Sequence, residues 1–183
     1  MCSRTPALAV ALSLILIASA ASAVVYRSQD DALKDAFPDA DKIEPRAFIL
    51  DDAQTARIEA LAEVKLERKL WTIFVAHQAD AVLGYALLDV RTVRTMPEAL
   101  LIVLTPDGAV RSVRVLAFHE PTEYQPTERW LGQLDGRRLG PDLQLKRDIQ
   151  AIAGATLSSQ SVTRAVRTAL ALYQVLIQTN QPG

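Results

Sequence analysis

The stretch Ala99-Leu100-Leu101-Ile102-Val103-Leu104-Thr105-Pro106-Asp107-Gly108-Ala109-Val110-Arg111-Ser112-Val113-Arg114-Val115-Leu116-Ala117-Phe118 decides the fold. Two apolar runs, Ala99 to Leu104 and Val110 to Phe118, flank a Pro-Asp-Gly turn. Proline presets the first central dihedral of a tight turn, and Asp-Gly completes it. In the second run Val113 and Val115 alternate with Ser112 and Arg114, the period of a half-buried strand. The pair is therefore expected to be an antiparallel hairpin.

Two similar runs precede it, Leu70 to Ala76 and Ala81 to Val90, so the sequence predicts four strands. Upstream, Asp51 to Leu70 has apolar residues near helical spacing at Ile58, Leu61, Val64 and Leu66. Glu59, Glu63, Glu67 and Arg68 lie on its other faces, and Asp51 or Asp52 is a candidate cap. Asp30 to Phe37, ahead of Pro38, reads as a short helix. Glu120 to Pro141 is a long connection, with a short helix expected at Trp130–Leu134. Ser158 to Gln178 is strongly helical, with Val162, Val166, Ala169, Tyr173 and Leu176 on one stripe, and Pro182-Gly183 stops it. The predicted fold is α+β: an antiparallel sheet flanked by N-terminal and C-terminal helices, one domain over residues 30–178.

The 183 residues are 50% apolar and 22% charged, the balance of a globular chain and not of a disordered one. Twenty basic and 21 acidic residues leave a net charge of −1, which provides no polycationic footprint for nucleic acid. One cysteine excludes an internal disulfide, and two histidines argue against a His-rich metal site. The first residues have a separate character. After Arg4, the stretch Ala7 to Ala23 carries no charge and ends in Ala21-Ser22-Ala23, the small-x-small pattern of a secretory cleavage site. Residues 1–23 are expected to be a signal peptide, or a membrane anchor extending to about residue 26; both readings remain open. Either way the domain is expected to be exported, periplasmic or anchored on the outer face of the cytoplasmic membrane.

The candidate chemistry lies in Asp148-Ile149-Gln150-Ala151-Ile152-Ala153-Gly154-Ala155-Thr156-Leu157-Ser158-Ser159. Small residues at Ala153, Gly154 and Ala155 let another group approach the backbone, and the helix that follows offers free amides at its first turn. That arrangement suits a phosphate. Thr156, Ser158 and Ser159 add hydroxyls, with Leu157 between them. The same residues also read as a plain helix start in which Ser158 or Ser159 caps the orphan amides.

The run Ala153 to Val166 resembles the flavinylation motif of the FMN-binding domain family. That family includes flavoprotein subunits of the Rnf and sodium-translocating NADH:quinone reductase complexes and small exported FMN-binding proteins. Its pattern is an acidic residue, two residues, then Ser or Thr, Gly, Ala and Thr or Ser. Further segments are similar to the family: Gly84-Tyr85-Ala86, the Pro106-Asp107-Gly108 hairpin, His119-Glu120, and Trp130-Leu131-Gly132-Gln133-Leu134-Asp135-Gly136. Two positions depart, with Ala153 where the pattern has Ser or Thr and Gln150 where it has an acid.

The resemblance implies FMN as cofactor, esterified through its phosphate to Thr156 by a flavin transferase after export. It implies an electron carrier, rather than a stand-alone enzyme, relaying electrons between membrane or periplasmic redox partners. Gly154, Ala155, Ala153, Leu157, Ser158 and Ser159 would surround the attachment point; His119, Glu120, Tyr124 and Trp130 are further candidates for the cofactor site. No catalytic or metal-ligating residue is assigned. The alternative is a binding or assembly module of the same fold without flavin. Trp71 and Phe118 read as core, and Lys146-Arg147 as a solvated pair.

Overall fold

The computed structural model describes residues 28–180. The expected signal peptide or anchor and the Pro182-Gly183 stop lie outside them. Helix α1 (Gln29–Ala36) opens the domain, with the Ser28 hydroxyl accepting from the Asp31 amide at 3.1 Å. Strand β1 (Lys42–Ile49) follows, then helix α2 (Asp52–Ala62). A meander comes next: β2 (Leu70–Gln78), β3 (Ala81–Thr92), β4 (Pro97–Leu104) and β5 (Val110–Phe118). The five strands lie in sequence order, every neighbouring pair antiparallel. A short helix α3 (Glu128–Leu131) interrupts the long connection, and helix α4 (Thr156–Leu176) closes the fold.

The α+β class, the four expected strands and the flanking helices are all present. Three details differ from the sequence reading. β1 was not expected, because Lys42, Glu44, Pro45 and Arg46 break any apolar pattern; as an edge strand it needs only one partner, and proline is tolerated there. α2 stops at Ala62 instead of running to Leu70, because Glu63 turns left-handed (φ 55°). α4 begins two residues earlier than expected, which makes Thr156 its first residue.

Strand alternation sends Trp71, Ile73, Val75, Tyr85, Leu87, Leu100 and Ile102 to one face, where α2 and α4 pack. Phe74, Ala76, Ala86, Leu101 and Val103 face the other way, under α1. α4 is buried almost throughout, polar residues Ser159, Ser161, Thr163, Arg167 and Thr168 included. It lies between the sheet and the 132–152 segment, so its polar side chains need internal partners. Ser159 and Thr163 find them on α4 itself, and Arg167 on neighbouring carbonyls. The hairpin turn is fixed by Gly108 (φ 77°), whose missing Cβ leaves room for the Tyr173 ring.

Candidate functional site

The long helix α4 delivers its N-terminus to the end of the sheet where β3 turns into β4. Its N-cap residue is Ala155, and no side chain caps the first turn. The expectation that Ser158 or Ser159 caps it is not met. Ser159 is fully buried one turn in, where its hydroxyl donates to the Ala155 carbonyl (3.1 Å) and accepts from the Ile152 amide (2.9 Å). Those two bonds hold the 152–155 turn against the helix. Gly154 supplies the left-handed conformation of that turn (φ 78°), and a Cβ there would meet nothing within 4 Å, so its backbone faces open space.

The opening is a cleft of about 230 Å³ lined by Gly154, Ala155, Thr156, Leu157 and Ser158 from the turn and helix. Val93 and Arg94 from the β3–β4 turn, with Glu120 and Tyr124 from beyond β5, form the other wall. Thr156 is exposed. Leu157 is 49% exposed, while Ser158 is buried against the floor. Arg94 is the one cation among the lining residues.

Glu120 shapes this wall. One carboxylate oxygen accepts from the amides of Arg94 (3.2 Å), Thr95 (2.7 Å) and Met96 (2.9 Å), so the β3–β4 turn is clipped to the segment after β5. The amides of Thr95 and Met96 hold its carboxyl below the usual carboxylate range. Three amide dipoles disperse its charge, which lessens its repulsion of an anion across the cleft.

Past Val93 and Leu157, which belong to both walls, a second groove of about 520 Å³ continues along α4. Its lining includes Trp71, Arg91, Ser161 and Arg164. Arg68 stacks 4.0 Å over the Trp71 ring, and the indole N–H donates to the Arg68 carbonyl at 3.2 Å.

Thus the structure brings Gly154, Ala155, Thr156, Leu157, Ser158, Glu120 and Tyr124 together. Ala153 is exposed on the turn, outside the cleft lining. His119 is exposed at the end of β5 and Trp130 is buried in the core, its indole donating to the Gln150 carbonyl at 2.6 Å; neither lines the cleft. Val93 and Arg94 were not singled out from sequence. Nothing local marks them, since they reach the cleft only through the β3–β4 turn and its clip to Glu120.

Residues 97–171 match the model of the FMN-binding domain. The matched segment runs from the start of β4 through most of α4 and contains the Gly-Ala-Thr turn. FMN is the cofactor that this family indicates. A crystal structure of Shewanella oneidensis NqrC is similar in fold, with a TM-score of 0.53 and 14% identity. The match covers 83% of this chain and 89% of that one. No curated protein sequence matches the chain. The residues present fit the cofactor: an uncapped helix start and Arg94 suit a phosphate, the Thr156 hydroxyl is open, and apolar Val93 and Leu157 border the cleft.

Proposed function

We propose that this chain is an exported flavoprotein electron carrier that holds FMN as a phosphoester on Thr156. The observation that carries the reading is the placement of Thr156. Its side chain is exposed at the first position of α4, in a cleft where no side chain occupies the helix amides. A phosphate there meets the positive end of the helix dipole and the Arg94 guanidinium. When bound, FMN supplies the redox chemistry. The chain's own residues fix where it sits and which face meets a partner.

The cleft does not activate Thr156 as a nucleophile. A threonine hydroxyl needs a base, and the lining residues include no histidine. The Glu120 oxygen nearest the β3–β4 turn is engaged by backbone amides. Attachment is therefore assigned to a separate flavin transferase, which supplies the activation. A covalent tether suits a compartment where lost flavin is not replaced, and the apolar Ala7–Ala23 stretch supports export to one. Electron donors and acceptors at the membrane or in the periplasm are the partners this role requires.

The test is co-expression of the full chain with a flavin transferase, followed by denaturing electrophoresis and in-gel flavin fluorescence. Wild type and Thr156→Ser should fluoresce, and Thr156→Ala should not. Fluorescence retained by Thr156→Ala overturns the assignment of Thr156. A wild-type chain that carries no flavin under these conditions favours the flavin-free module. Intact mass of the mature protein from its host reports cleavage of the leader and the added FMN together.

A further inference from the structure

Glu98, on β4, is fully buried, and its Oε2 has no hydrogen-bond partner among the described residues. Its Oε1 accepts from the Ser161 hydroxyl of α4. A carboxyl half satisfied in a sealed interior is a costly feature to retain for packing alone.

Its surroundings tie it to the groove that adjoins the cleft at Val93 and Leu157. From β3, Arg91 and Asp89 face it as a tight ion pair. Arg91 also donates to the Ser161 carbonyl at 3.4 Å, and Arg68, just ahead of β2, binds Asp89 at 3.1 Å. On β5 the residue opposite is Phe118, which carries no charge. On α4, Arg164 lines the same groove as Ser161; Ser161 is about one turn past Leu157 and Arg164 about two. Ser161 stands five residues past Thr156, about 7.5 Å along the helix axis.

We propose that Glu98 is the proton acceptor of the flavin site: electron arrival at FMN in the cleft is balanced by proton uptake at the Glu98 carboxylate. The inference deepens the assignment of FMN to the Thr156 cleft and rests on it. One electron enters from a one-electron redox protein and stays on the cofactor. One proton comes from water and converts the Glu98 carboxylate to a neutral carboxyl, so the pair adds no net charge. Burial is the main cause that pushes Glu98 up to about 7, with Asp89 adding to it and the Ser161 hydroxyl and Arg91 opposing it. The same burial that raises it makes the neutral carboxyl easier to form than in an exposed glutamate. A new negative charge on a cofactor in the neighbouring cleft raises its proton affinity further. Ser161 is the first link toward the groove, since its hydroxyl both donates and accepts.

The experiment uses the full chain loaded with FMN by a flavin transferase, with loading confirmed by in-gel fluorescence. Infrared difference spectra, reduced minus oxidised, are recorded at about pH 8 in H2O and D2O. A carboxylic-acid carbonyl band is expected in the reduced state, shifted in D2O and absent in Glu98→Gln. Ser161→Ala keeps the carboxyl and should move the band. The midpoint potential of wild type should vary with pH more steeply than that of Glu98→Gln. The limit is roughly 59 mV per tenfold change in proton activity when one proton accompanies one electron. A loaded chain with no such band, or with the band unchanged in Glu98→Gln, overturns the proposal alone. A chain that takes up no flavin overturns the assignment of the cofactor to this cleft, and this proposal with it.

Discussion

The Arg167 guanidinium ends helix α2 from across the core: its Nε donates to the Ala62 carbonyl at 2.6 Å. The same side chain reaches the carbonyls of Leu61 (3.2 Å), Gly140 (2.9 Å) and Leu143 (3.2 Å), and pairs with Glu63 at 3.2 Å. It is 4% exposed. One planar fork thus ties α4 to the left-handed end of α2 and to the connection that leads into the 152–155 turn.

Arg167→Met should fold with a large loss of stability. The apolar stem is kept, but several carbonyls lose their donor, each costing about 1–3 kcal/mol where burial keeps water out. We expect a total near 3 kcal/mol, read as a lowered urea midpoint with an unchanged slope. Arg167→Lys should recover only part of it, because an ammonium cannot serve carbonyls spread around a planar fork.

Gly108→Ala should destabilise for two separate reasons. The residue sits at φ 77°, and the new Cβ would stand 2.1 Å from the Tyr173 ring. Tyr173 cannot swing away freely, because its hydroxyl donates to the Pro106 carbonyl at 2.8 Å and its ring packs edge-on against Tyr85. Strain of roughly 1 kcal/mol from the dihedral adds to about 1–3 kcal/mol from overpacking. In a double-mutant cycle with Tyr173→Leu, the overpacking part should vanish and the dihedral part remain. Additive losses would show that the ring does not set the cost.

The strands around the hairpin were legible because their alternation matches the faces they bury. Val113 faces the α4 side, and the Pro-Asp-Gly turn falls where it was read. β1 was not legible because pairing, more than a continuous apolar face, makes it a strand: Ile43 and Phe48 are only half-buried against the two cores, and Ile49 is 81% exposed. The end of α2 was hidden because Glu63 adopts its left-handed dihedral beside the distant Arg167. The cleft was read from one side only. Its helix wall is a contiguous motif, whereas Arg94 reaches it through the long-range clip to Glu120.

Ser159→Ala tests whether the 152–155 turn is held in shape from inside. The variant removes the acceptor of the Ile152 amide and the donor to the Ala155 carbonyl, both on the turn that carries Gly154. The expected cost to global stability is about 1 kcal/mol. The local effect should be larger in kind: faster amide exchange over residues 152–156, and a lower yield of flavin attachment although Thr156 is intact. Unchanged exchange there would mean that the turn is held by other contacts.

Glu98 also sets a pH dependence of the fold itself. Its carboxyl is raised on folding from an ordinary 4.5 to about 7, so between those values the folded chain binds more proton than the unfolded one. Stability should therefore fall as pH rises through that window, by on the order of 3 kcal/mol, and level off above it. Glu98→Gln keeps the shape and the acceptor for Ser161 but cannot ionise. Relative to wild type it should be near neutral at about pH 4.5 and stabilising at about pH 8. The measurement is the difference in urea midpoints between the two proteins across that range, in the absence of flavin. A difference that does not change with pH would mean that Glu98 titrates at its ordinary value and that its buried oxygen is reached by water.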